Sequence, residues 1–145
     1  MGQLAKTSVH ADQSVDHALQ PAFAPDAREF LNYLRITALN CRSAARADLF
    51  RACAMLETDT GVAKSAHAEL LMRCLPQVIG KMPKILRPGE QEISFDEAWL
   101  LRLFEACRND DGASFAFLIR TRVVRHAQRK IGFLMRSSTE QFSQN

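Results

Sequence analysis

The sequence predicts an all-α fold: a compact bundle of about five helices with mixed crossing angles, preceded by a flexible N-terminal arm. Composition is the first reason. The 145 residues include twenty Ala and sixteen Leu against eighteen Val, Ile and Thr together, and Ala and Leu lose little rotamer freedom in a helix while β-branched residues suit strands. The second is periodicity: apolar residues recur at three- and four-residue spacing, and no stretch alternates long enough to make a sheet strand. The third is punctuation, since cap and turn residues separate the periodic stretches by short connections. No segment sustains three heptads, so a long coiled coil is excluded.

Hydrophobic residues at 47% and charged residues at 24% exclude wholesale disorder and collagen-like structure. The length fits one domain, divided as an arm over 1–25, a helical domain over 26–137 and a frayed tail over 138–145. The arm holds Pro21 and Pro25 and shows no sustained period. A short helix over 10–20 would put His10 and His17 on one face, a weak pointer to metal or partner binding.

A first helix is expected from Asp26 to about Asn40, with Phe30, Tyr33, Leu34, Thr37, Ala38 and Cys41 inward and Arg28, Asn32 and Arg35 opposite. Asn40, Arg42 and Ser43 offer a break with Ser43 as N-cap, although propensity alone would allow one helix over 26–57. The second helix, 44–57, aligns Ala45, Leu49, Ala52, Cys53 and Leu56. The cluster Thr58-Asp59-Thr60-Gly61 opens a third, with Ala63, His67, Leu70, Leu71, Cys74 and Val78 inward and Pro76 bending or ending it near Cys74. Two prolines and two glycines make 80–91 the longest internal loop.

Ser94-Phe95-Asp96-Glu97 has the capping-box form. The fourth helix, about 95–108, carries Phe95, Trp99, Leu100, Leu103, Phe104 and Cys107 over half its circumference and is expected at the centre. Asn109-Asp110-Asp111-Gly112 ends it, and a last helix spans about 113–136 with Gly132 as its weak point.

Charge placement is the clearest functional signal. Residues 93–111 sum to −3 and 112–145 to +5, with no acidic residue between Gly112 and Thr139. At 100° per residue, Arg122, Arg125, Arg129 and Arg136 of one continuous helix fall within about 60° of each other. Such a stripe can meet an acidic protein surface, neutralise phosphates or lie on an anionic membrane, or it can be a solvated face balanced by Asp96, Glu97, Asp110 and Asp111. In the 80–91 loop, Lys81, Lys84 and Arg87 add charge beside Met82, Ile85 and Leu86. Arg120 interrupts the apolar face and needs a carboxylate, Glu97 or Glu105, or an anionic ligand.

Other chemistry is poorly supported. The start of the last helix, Ala113-Ser114-Phe115-Ala116-Phe117-Leu118-Ile119, is core material and argues against a DNA-reading recognition helix. Cys41, Cys53, Cys74 and Cys107 are widely spaced with no CxxC; with His67 they lack the close pair a zinc site normally supplies. All four thiols fall on or beside apolar arcs and are expected to be reduced and slow to react. The six glycines are scattered, so no phosphate-cradling loop is present. No apolar run approaches the ~18–20 residues that cross a bilayer, and no signal-peptide pattern precedes the domain.

The reading is therefore a cytoplasmic, non-enzymatic adaptor or regulatory module without cofactor or metal. It binds a macromolecule, an acidic protein surface first and nucleic acid without base specificity second, through Arg122, Arg125, Arg129, Arg136, Lys81, Lys84 and Arg87.

Overall fold

The computed structural model describes residues 22–43 and 60–143. They form five α-helices: α1 (Pro25–Ser43), α2 (Thr60–Ile79), α3 (Phe95–Arg108), α4 (Gly112–Arg122) and α5 (Gln128–Ser143), with a 3₁₀ turn at Arg125–Ala127. Among the described residues there is no strand, and the all-α expectation holds. Residues 1–21 of the arm expected over 1–25, the helix expected over 44–57 and Cys53 lie outside the described residues.

Pro25 opens α1, where a missing N–H costs nothing. Ala27, Phe30, Leu31, Leu34 and Ala38 are buried along one stripe. The helix does not break after Asn40 but runs to Ser43, because Asn, Cys, Arg and Ser cost a helix only about half a kcal/mol each. Pro76 does not end α2 either. The ring removes one backbone donor, yet Leu75 is buried and Val78 and Ile79 pack on the core, which carries the helix to Gly80 in the left-handed conformation (φ 77°).

The capping box at α3 forms as read: Ser94 Oγ accepts from the Glu97 N–H, and the Glu97 carboxylate accepts from the Ser94 N–H. The phase of the first turn differs from expectation. Phe95 is 77% exposed, whereas Asp96 and Glu97 are buried. Both carboxylates bind the preceding loop, and that rotates the neighbouring phenyl ring to the surface. The rest of α3 is central, packed against α1, α4 and α5. Phe30 of α1 stacks on Phe104 of α3 with centroids 4.4 Å apart, and Phe142 of α5 meets both rings edge-on.

At the end of α3, the Asp111 N–H bonds to the Ala106 carbonyl at 2.8 Å and the Asp110 N–H to Cys107 at 3.2 Å. This six-to-one and five-to-two pair is a Schellman turn. Its left-handed position holds Asp110 (φ 53°) where glycine is the usual occupant, at a cost of about 1 kcal/mol relative to glycine.

The single helix expected over 113–136 is two. Val123 and Val124 are extended (ψ 132° and 145°), and the Val124 N–H leaves the helix to bond the Val78 carbonyl at 3.0 Å. Adjacent β-branched residues are poor helix formers, and the bend lets Val123 into the core while docking the chain on the end of α2. The helix continues through Gly132, which is buried, and a Cβ there would make an ordinary contact with the Phe115 ring at 3.4 Å. The tail expected to fray from 138 stays helical to Ser143, with Ser138 and Thr139 buried and their hydroxyls donating to the Leu134 and Met135 carbonyls.

Candidate functional site

Two adjacent carboxylates shape the loop between α2 and α3. Glu97, fully buried, accepts from Arg35 Nε (2.7 Å), Arg35 Nη2 (3.0 Å) and the Leu86 N–H (3.0 Å) in addition to its capping bond. Arg35 also donates to the Glu90 and Glu92 carbonyls, both at 2.7 Å. The sequence put Arg35 on the outer face of α1; it is 3% exposed. Its position beside Leu34 and opposite the loop lets one guanidinium satisfy two backbone carbonyls and a carboxylate. No local pattern announces that pairing, because the partners lie more than fifty residues away.

Asp96 gathers the cations. Its carboxylate accepts from the Lys84 N–H (2.7 Å) and Arg122 Nη2 (2.5 Å), and Lys81 Nζ stands 3.6 Å away. Arg122 was expected in solvent, yet its side chain is only 13% exposed. The helix ends at Arg122, which turns its guanidinium onto the faces of Phe95 (5.4 Å) and Trp99 (5.0 Å) of α3. Its Nη1 is buried with no hydrogen-bond partner among the described residues. Around this cluster the surface is apolar and basic: Met82 and Phe95 are each 77% exposed and Val124 is exposed, with Lys81, Lys84 and Arg125 beside them in the chain.

Burial pushes the Asp96 carboxyl up, but the Lys84 N–H, Arg122 and Lys81 outweigh it and hold the group below its ordinary 3.8. The folded chain therefore binds this proton less tightly than the unfolded chain. Stability from Asp96 is complete above about pH 3.8 and is lost as pH falls through the folded value. D96N should lack this acid-dependent component. Urea midpoints measured between about pH 6 and about pH 2.5 should fall less steeply for D96N than for the native chain.

The remaining predicted residues do not join this face as a stripe. Arg125 lies on the 3₁₀ turn, Arg129 is exposed on the first turn of α5, and Arg87 is exposed in the loop. Arg136 lies over the Phe115 ring at 4.6 Å, at the other end of the α4–α5 pair. The break at Val123-Val124 ends the 100° progression that had aligned these four arginines. Arg120 is exposed rather than buried, because Phe115 and Ile119 set the inner face of α4.

Arg136 borders a second feature, a cleft of about 460 Å³ between the α3–α4 turn and the last turns of α5. Cys107, Asp110, Phe115, Thr139 and Glu140 share its lining. Cys74 is buried, Cys41 and Cys107 are half-buried, and burial pushes both half-buried thiols above the usual range, which keeps them protonated. His67 is buried edge-on to Phe133 with Nδ1 unpartnered, and burial lowers its pKa. Among the described residues no group of three or more His, Cys, Asp or Glu could hold a metal ion, and no helix is long and apolar enough to cross a membrane. No protein-family model matches the chain, and neither do any curated protein or solved structure.

Proposed function

We propose that the protein is a cytoplasmic, non-enzymatic adaptor or regulatory module that docks an acidic protein surface through Lys81, Met82, Lys84, Phe95, Arg122 and Arg125. The observation that carries this reading is the exposure of Met82 and Phe95, each 77%, beside the Asp96 cluster. Large apolar side chains ringed by charge are how protein interfaces present their anchors. Two cations, Arg122 and Lys81, share one carboxylate that also accepts from the Lys84 N–H, and the exposed Lys84 and Arg125 add positive charge nearby in the chain, which favours a negatively charged partner. Arg122, held over the Phe95 and Trp99 rings and paired to Asp96, fixes the exposed Phe95 ring at the centre of this face.

Nucleic acid is the less favoured reading, since the dispersal of Arg129 and Arg136 removes the contiguous track a phosphate backbone would follow. The test is affinity capture from native cells with the native chain and with M82S/F95S and K81E/K84E. Both variants alter exposed side chains, so their circular dichroism should match the native chain. The proposal expects both to lose a shared acidic partner, and K81E/K84E to regain it when that partner carries compensating Lys substitutions. Retention of every partner by both variants would overturn it. So would binding to a DNA oligonucleotide that weakens with salt by a log–log slope of about −0.9 per phosphate and is lost in K81E/K84E.

A further inference from the structure

The cleft between the α3–α4 turn and α5 presents a set of charges that the fold itself does not use. Two of its charged groups are already engaged: Arg108 pairs with Asp26, and Asp111 accepts from the Ser114 N–H and hydroxyl. Three others have no hydrogen bond or ion pair to any described residue. They are Asp110 on the turn, and Arg136 and Glu140 on α5. Arg136 and Glu140 sit one helical turn apart, where opposite charges ordinarily meet. Here the guanidinium is drawn onto the Phe115 ring instead, which orients it and leaves its donors free.

Asp110 stands on the rim of the cleft. It holds the left-handed position of the Schellman turn (φ 53°), where glycine would be the more stable choice, and its carboxylate makes no bond that repays the strain. Thr139 and Ser143 have their hydroxyl protons committed to helix carbonyls, and the Thr139 hydroxyl also meets the Cys107 thiol, so only Ser143 offers the cleft an acceptor. The lining thus combines one free guanidinium, two free carboxylates and one acceptor hydroxyl. A complementary ligand has one carboxylate and two cationic centres, and a volume near 460 Å³ lies in the small-ligand range.

We propose that this cleft binds a free basic α-amino acid, its carboxylate on Arg136, its α-ammonium on Asp110 and its side-chain cation on Glu140. Arg136 supplies a planar donor fork for the carboxylate, and Asp110 and Glu140 stand on different elements, so a ligand spans the cleft. The proposal is independent of the docking face around Asp96.

The experiment is calorimetric titration of the full chain with L-lysine and L-arginine, with L-glutamate and putrescine as comparison ligands. It is followed by ¹H–¹⁵N correlation spectra of the same samples. Lysine or arginine should bind saturably and shift the Gly112 and Ser143 amides. Glutamate, with the opposite charge balance, and putrescine, with no carboxylate, should each bind at least about tenfold more weakly. D110N, which keeps a side chain tolerant of the left-handed conformation, and R136Q should each weaken lysine about tenfold or more without changing the melting curve by more than a few degrees. Absence of saturable binding by either basic amino acid would overturn the proposal. Putrescine binding as tightly as lysine would remove Arg136 from it, and unchanged lysine affinity in D110N would remove Asp110.

Discussion

Replacing Glu97 with Ala should cost the fold about 3–5 kcal/mol, a large share of the roughly 5–15 kcal/mol that holds a domain of this size together. The side chain has no solvent exposure and accepts four hydrogen bonds, two from Arg35 and one each from the Leu86 and Ser94 N–H groups. Its removal leaves the Arg35 guanidinium buried without a counter-charge. The usual remedy for a broken buried pair, an apolar residue at both positions, should fail here. In R35M/E97L the Leu86 and Ser94 N–H groups and the Glu90 and Glu92 carbonyls, all in partly buried hydrogen bonds, would lose their partners as well, and the cost of a backbone group left open rises to about 1–3 kcal/mol where water is shut out. The double variant should therefore be no more stable than E97A, as measured by urea denaturation. A double variant as stable as the native chain would show that the loop is held by something other than this pair.

That pair also shows where sequence reasoning stops. Local rules carried most of the helices: Ser94 and Glu97 announced the start of α3, the spacing of Phe30, Leu34 and Ala38 its neighbour's inner face, and Gly80 and Pro88-Gly89 the loop. Each depends on residues within a turn or two. Arg35 and Glu97 read as outward charges because helical phase is drawn from apolar residues alone, and a charge whose partners lie 55–62 residues away resembles a solvated one. Asp96 reads the same way, although it pairs with Lys81 and Arg122 and holds the Lys84 N–H.

The arginine stripe failed for a related reason. Its four members were aligned by assuming one unbroken helix, and no glycine or proline marks the bend at Val123-Val124. The bend follows from tertiary contact: Val78 offers its carbonyl at the end of α2, and the core accepts the Val123 side chain. One loop cation, Lys81, meets one predicted stripe residue, Arg122, but through Asp96 rather than along a helix face, and Lys84 reaches Asp96 only by its backbone N–H. The cleft was invisible in the sequence, since Asp110 and Arg136 approach it from elements separated by the whole of α4.

Trp99→Ala should destabilise by about 3–5 kcal/mol, as large-to-small core changes do, and should also disturb the docking face. The indole is 6% exposed, and its Nε1 donates to the Leu118 carbonyl at 2.9 Å, which locks α3 to α4. Its ring is also one of two platforms under Arg122, at 5.0 Å. Removing it opens a cavity beneath a guanidinium already paired to Asp96 by one nitrogen and unpartnered at another. W99F separates the two roles. It keeps an aromatic platform and loses only the Nε1 bond, and the Leu118 carbonyl still accepts from the Thr121 hydroxyl at 2.7 Å. Its cost should be no more than about 1 kcal/mol beyond the loss of ring size. Because Trp99 is the single tryptophan, native emission should be blue-shifted and should move red on unfolding. A water-exposed native spectrum, or equal stability of W99A and W99F, would show that the indole does not fill the α3–α4 interface. The Arg122 platform would then lose its physical basis, because the same ring supports both.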